Sequence, residues 1–431
     1  MRGLIEAASI PIEFLTALLG LLAVTIFFGI RNDEERRALL LIAISVYLVK
    51  AILVPIYYWV LLASGSQGFA YVDSRGYFYR ASRMANEIAN NMPYDNPGWK
   101  AKDPGYMVTC ALMYVVFGSS TLIARFFNAA MGTFTLLYVY RIACLAFDKR
   151  VARIAVLLAG FIPFTIFMTI NHRKEPVVIF LATLLYYHAL RVLTKQGNWI
   201  TSLPIMMIGL GAIYFFRSGF IPPFLGLFLI SYLFTKGSIV TGGLVSMFVM
   251  GLLIATQFLF PESTGLDIEG NVTGRLADNA RMGEFGGGLL RVTMVTSISD
   301  LWKVPIVGIL MVILPFPPRW QGIERIYTLI LSVSHLVFLL CLPQFVLGVR
   351  EVFRADVWTK RLPLLVFSAG FLTLVGVLTA GIMRYRETVF TLVFVITAAG
   401  FKARQKFMVT GGVYAALATL AVVVYLHRFM R

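Results

Sequence analysis

The sequence predicts an all-α polytopic membrane protein with about 12 transmembrane helices. Of its 431 residues, 59% are hydrophobic and 14% charged, and the mean hydropathy is +0.81. That is too apolar for a soluble globular chain. Apolar runs near 20 residues recur along the whole length, each able to cross a hydrocarbon layer about 30 Å thick. The basic residues crowd into short turns between those runs, as membrane topology requires.

Taken in order, the spans fall at 10–30, 39–63, 119–147, 152–170, 176–194, 201–216, 220–235, 238–260, 327–348, 362–383, 387–401 and 407–427. The first lacks a small-residue cleavage site and is followed by another span, so it reads as a retained helix and not a signal peptide. Two long polar segments, 64–118 and 261–326, interrupt the series. The second carries "GEFGGGLL" and a short apolar piece at 304–316 that ends in "PFPPRW", a re-entrant or interfacial element.

The net charge of +17 is scattered over many loops, which argues against nucleic acid and for anionic lipid or a phosphate-bearing substrate. Cys110, Cys144 and Cys341 lie in apolar stretches without paired spacing, and the four histidines are far apart. Neither a disulfide framework nor a zinc site is expected. No cofactor is indicated; a divalent metal stays possible.

Orientation follows from Lys/Arg bias. The loops at 31–38, 148–153, 191–200, 236, 349–361 and 402–406 hold 16 Lys/Arg, against 5 in the turns 171–175, 217–219 and 384–386. The first group is therefore cytoplasmic, and both long segments lie outside. Those segments and the termini add 14 more basic residues to the outer side, so the short turns decide.

Within 64–118, Tyr77, Ala81, Met84, Ala85 and Ile88 share one helical face, while Arg75, Arg83, Asn86, Glu87 and Asn90 share the other. This predicts an amphipathic helix on the membrane surface. Asp73 stands just before it, either as its N-cap or as a carboxylate at the mouth of a cavity between spans; the roles are compatible. Residues 105–117 form a second apolar helix too short to span, so it too should lie at the interface. Lys100 and Lys102 belong at headgroup level, where they meet phosphate or snorkel.

The order of features carries a resemblance. An acidic residue with an aromatic helix precedes a Pro-Gly-Tyr short helix ending in "YVVFGSS". Then come "IARFFNAAMGTFTLLYVYRIACLAF", a basic turn "DKRVAR", "AVLLAGFIPFTIF", and a charged turn "NHRKE" that opens the next span. Residues 65–235 resemble the N-terminal module of the GT-C superfamily of membrane glycosyltransferases, in particular the branch of protein mannosyltransferases and lipid A aminoarabinose transferases. The resemblance divides the chain into a GT-C-like module at 1–260, an outer loop at 261–326 and further helices at 327–431. It implies a sugar donor carried on polyprenyl phosphate, a glycan, lipid or protein acceptor, and transfer on the outer face of a prokaryotic plasma membrane. It also implies a catalytic aspartate from the first outer loop, matched here by Asp73, with Asp103 the next carboxylate. The chain departs from the family where a proline pair becomes Asp103-Pro104-Gly105 and where an acidic pair becomes Asp73-Ser74. Arg125 matches a basic position common in the superfamily and is expected to face the outer cavity.

The chemistry independently asks for similar groups. Attack on an anomeric carbon needs a base for the acceptor proton, and the departing lipid phosphate needs cations. Arginine matches phosphate oxygens with its planar fork. "NHRKEP" offers His172, Arg173, Lys174 and Glu175; "FFRSGFIPP" offers Arg217; "GIMRYRETVF" offers Arg384 and Arg386. With Arg75, Lys102, Tyr77 and Arg125 they make up the expected substrate-binding set. Each alone could be an interfacial anchor, but three basic turns on one side argue for more. Glu175 and Glu387 are placed to orient neighbouring arginines. Lys50 lies mid-span with Glu13 as a possible partner. Arg319 and Trp320 fit an interfacial belt or a sugar platform, and His188 and His335 read as packing residues.

Two other functions fit the same pattern. A polysaccharide polymerase or ligase on lipid-pyrophosphate glycans would use the arginines without a catalytic aspartate. A flippase or transporter of lipid-linked sugar would be expected to show internal pseudo-symmetry, of which the sequence gives no sign.

Overall fold

The computed structural model describes residues 12–30, 32–69, 72–90, 104–196, 199–236, 341–354, 358–378 and 387–403, with isolated positions between 330 and 340. The spans at 238–260 and 407–427, part of 327–348, the loop 261–326, Lys100, Arg319, Trp320 and His335 lie outside these residues.

Every regular element among the described residues is helical. In order they are α1 (Ile12–Gly29), α2 (Asp33–Ala63), α3 (Val72–Ala89), α4 (Gly105–Phe117), α5 (Thr121–Ala146), α6 (Lys149–Phe161), α7 (Pro163–Thr169), α8 (Glu175–Leu193), α9 (Trp199–Arg217), α10 (Ile221–Lys236), α11 (Leu342–Val352), α12 (Trp358–Leu378) and α13 (Glu387–Lys402). A 3-10 turn, Ser218–Phe220, joins α9 to α10. Helix α5 is the axis of the bundle: most of its 26 residues are buried, against α2, α6 and α8.

Local chemistry sets the boundaries. Asn32 caps α2 by accepting from the Glu35 amide, Ser120 caps α5 through Leu122, and Asp148 caps α6 through Arg150 and Val151. The expected span 152–170 is a bent pair, α6 and α7, turned by 60°. Pro163 is the cause. It forces Ile162 into extended backbone (φ −63°, ψ 126°) and restarts the helix as its first residue.

By length and composition, residues Trp199–Leu233 could pass as one span. The backbone argues for two. Arg217 is extended (φ −162°, ψ 83°). Gly209 before it packs on Leu184 and Leu185, and Phe224 after it packs on the adjacent Tyr186, 6.1 Å between ring centroids. A straight helix would separate positions 209 and 224 by about 22 Å. The chain therefore folds back at Arg217.

Among the described residues, parts of the loops 31–38, 148–153, 349–361 and 402–406 meet at one end of the bundle, and the turns at 171–175 and 217–219 lie at the other. At one end Arg153 pairs with Glu35 (2.7 Å) and Glu34 (2.9 Å), Tyr140 donates to the buried Glu35 (2.7 Å), and Lys402 pairs with Asp148. Arg361 donates to the Ala146 and Glu351 carbonyls there (2.8 and 2.7 Å). At the other end stand α3, α4 and the turns at 171–174 and 217.

Helices α11 and α13 cross almost backbone to backbone. A Cβ on Gly348 would overlap the Ile396 carbonyl, and one on Gly400 the Gln344 carbonyl. Small residues permit such crossings in membranes. Gly400→Val is expected to destabilise by about 1–3 kcal/mol through overpacking. A melt in detergent checks this, with Gly226→Ala, which meets nothing within 4 Å, as the unaffected control.

Candidate active site

Helix α3 begins at Val72, so Asp73 sits inside the first turn and is not the cap. The face chosen from periodicity is correct for Ala81, Met84 and Ala85, which are buried, while Ile88 at the helix end is exposed. The expectation that this face rests in the membrane surface is corrected: α4 covers it. Tyr77 packs edge-on against Tyr106, 5.3 Å between ring centroids. Helix α4, expected at the interface on its own, is itself half covered: Tyr106, Cys110 and Tyr114 are buried, and Leu112 and Val116 are exposed.

The turn after α7 supplies the charges. Arg173, nearly buried, reaches Asp73 across elements 100 residues apart, with Nη2 3.8 Å from Oδ2, while half of the Asp73 side chain stays exposed. His172 is fully buried beside them. Tyr114 Oη lies 3.0 Å from its Nε2, and the Cys110 sulfur lies 4.0 Å from the same atom. Lys174 is partly exposed, and Glu175 is buried as the first residue of α8, followed by Pro176. The fold-back at Arg217 lies at this end too. Gly105, opening α4, packs so closely on Phe215 that a Cβ would come within 2.8 Å of its carbonyl oxygen.

Two expected site residues make other contacts. Arg125 does not face an open cavity. It is fully buried, donates to the Gly68 carbonyl (2.6 Å), and lies over the Tyr57 and Tyr58 rings at 5.6 and 5.5 Å. It pins the turn after α2 to α5, where Gly68 has φ +81° and a Cβ would strike Tyr58. Burial costs the guanidinium its water, and the two ring faces and the Gly68 carbonyl offset part of that cost. Arg75 is on the exposed face of α3, over Tyr79 at 5.6 Å. Lys102, Asp103, Arg384 and Arg386 lie outside the described residues. Lys50 is buried, its Nζ 3.0 Å from where a Gly132 Cβ would stand. The Glu13 side chain lies outside the described set. His188 is buried against Tyr187, as a packing residue should be. Among the described residues, no three His, Cys, Asp or Glu side chains gather as metal ligands.

Burial, reinforced by the Arg125 charge, pushes the His172 imidazole down to about 3 from the ordinary 6.5. It is therefore neutral at physiological pH and holds its place by hydrogen bonding. The unfolded chain takes up a proton near pH 6.5 that the folded chain refuses until about 3, so stability falls as pH drops through that window. Thermal melts between pH 7.5 and 4.5 are expected to show a shallower acid loss for His172→Gln than for the parent.

Residue pattern did not find Asn128, Tyr106 or Tyr114. A polar residue inside an apolar span was the available signal for Asn128.

Comparisons with known proteins agree with this architecture. Residues 100–259 match the family described as dolichyl-phosphate-mannose-protein mannosyltransferase. No curated protein matches the sequence. A solved structure of the archaeal oligosaccharyltransferase AglB from Archaeoglobus fulgidus, in complex with an inhibitory peptide and a dolichol-phosphate, superposes with a TM-score of 0.50 at 14% identity, over 89% of this chain and 54% of that one. The apo form of the Archaeoglobus fulgidus oligosaccharyltransferase gives a TM-score of 0.50 at 12% identity with the same coverage. The chain thus spans about half the length of the solved structures it matches. The helical architecture and the match over residues 100–259 together show a GT-C-like fold.

Proposed function

We propose that the protein transfers a sugar from a polyprenyl-phosphate-linked donor to an envelope acceptor at the outer face of the membrane. Asp73 is the general base and Arg173 the principal phosphate ligand. The observation that carries this reading is the Asp73–Arg173 approach at 3.8 Å, with the carboxylate half exposed and the guanidinium nearly buried. A base must reach an incoming hydroxyl, whereas a phosphate ligand gains strength where water is thin.

In the reaction, Asp73 accepts the acceptor hydroxyl proton as its oxygen bonds to the anomeric carbon. The bond from that carbon to the phosphate oxygen breaks, and the lipid phosphate leaves with its charge held by Arg173. Lys174 and Arg217 lie at the same end and add positive potential; Arg384 and Arg386 are assigned there from sequence. The charge bias of the turns supports an outer position for this site. The AglB structure that shares the fold was solved with a dolichol-phosphate, which supports a polyprenyl phosphate carrier.

The test is a transfer assay in proteoliposomes with labelled polyprenyl-phosphate sugars. Release of polyprenyl phosphate coupled to acceptor labelling supports the reading. Turnover only of lipid-pyrophosphate glycans would favour a polymerase or ligase, and movement of intact donor without bond cleavage a flippase.

A further inference from the structure

We infer that Asn128 is a positioning residue for this site, and that its side-chain amide sets where the Arg173 guanidinium stands. The inference rests on the assignment of Arg173 to the donor phosphate. Asn128 lies two turns into α5 and is fully buried. Its Nδ2 is 2.6 Å from the Asn171 carbonyl, 2.8 Å from the Arg173 carbonyl and 2.9 Å from Tyr106 Oη. Two of these partners are carbonyl oxygens, which only accept, so their chemistry dictates that the amide presents its NH2 group. Asn128 Oδ1 has no partner among the described residues, so the side chain is held by its donor end alone.

Two backbone carbonyls converging on one point repel unless a donor sits between them. The Arg173 amide already donates to Asn171 O at 3.0 Å, which tightens the turn but leaves the Arg173 carbonyl to Asn128. The third contact of the same NH2, Tyr106 Oη at 2.9 Å, shares one of its two N–H groups with a carbonyl, and the Tyr106 ring packs against Tyr77, one turn beyond Asp73 on α3. One buried amide therefore ties together α5, the helix under the base, and the turn that carries the phosphate ligand. Truncating it leaves the Arg173 carbonyl without its Asn128 donor, while the Asn171 carbonyl keeps the Arg173 amide, so the end of the turn at Arg173 must shift to find a partner.

The experiment uses the full chain in nanodiscs with farnesyl phosphate as the probe, and measures its Kd, the donor KM and kcat. For Asn128→Ala, Kd and donor KM are expected to rise about tenfold, while kcat at saturating donor falls by less than about threefold. A role confined to packing would lower the melting temperature and leave the folded protein's Kd unchanged, and that result would overturn the assignment. Should Asn128→Ala not fold, Asn128→Ser, whose hydroxyl is too short to bridge both carbonyls, gives the same decision. If Arg173→Ala binds farnesyl phosphate as the parent does, the phosphate assignment itself fails; if Arg173→Ala loses binding but Asn128→Ala does not, only the positioning role fails.

Discussion

Asp73→Asn is expected to lower kcat by about 10²–10⁴-fold, the usual contribution of a positioned base, with donor affinity kept or slightly improved. The two effects separate because the substitution removes the proton acceptor and also a negative charge beside the incoming phosphate. The fold should be indifferent to it. Asp73 is half exposed and lies inside the first turn of α3, so its pairing with Arg173 at 3.8 Å contributes little to stability. Steady-state kinetics with a labelled donor, alongside a melting curve, check both points. Retained activity in Asp73→Asn together with loss in Arg384→Ala would favour the polymerase or ligase reading.

Arg173→Ala is the second large effect: turnover is expected to fall about 10²–10³-fold, as for loss of one preorganised ligand to developing charge, and donor KM to rise. Arg173→Lys should recover only part, because an ammonium keeps the charge and loses the fork that matches phosphate oxygens. The bond from the Asn128 side-chain amide to the Arg173 carbonyl survives both substitutions, so the turn should keep its shape. A farnesyl phosphate titration of the two variants separates lost binding from lost chemistry.

Much of the architecture was legible because its signals are local. Apolar runs gave α2, α5 and α8 to within a few residues at most boundaries, although 152–170 was read as one span and is bent at Pro163, and the described basic turns lie at the two ends that the Arg153–Glu35 and Asp73–Arg173 pairs occupy. The face of α3 was equally readable, since periodicity says which residues turn inward. It does not say what they turn toward, so Met84 was assigned to lipid and is in fact buried in the bundle. The contacts of Arg125 were hidden for a related reason. A basic residue near a helix start reads as an anchor or a ligand, and only the packed chain brings Tyr57, Tyr58 and Gly68 around it. Asn128 was missed because its partners are backbone carbonyls 43 and 45 residues away. No residue pattern records a carbonyl.

The most direct test of the central claim is a structure with a polyprenyl phosphate bound. The account predicts the phosphate within hydrogen-bond distance of the Arg173 guanidinium, with the Asp73 carboxylate turned to the open side of the same cavity. A phosphate bound away from the 171–174 turn, with Asp73 and Arg173 left paired, would contradict it.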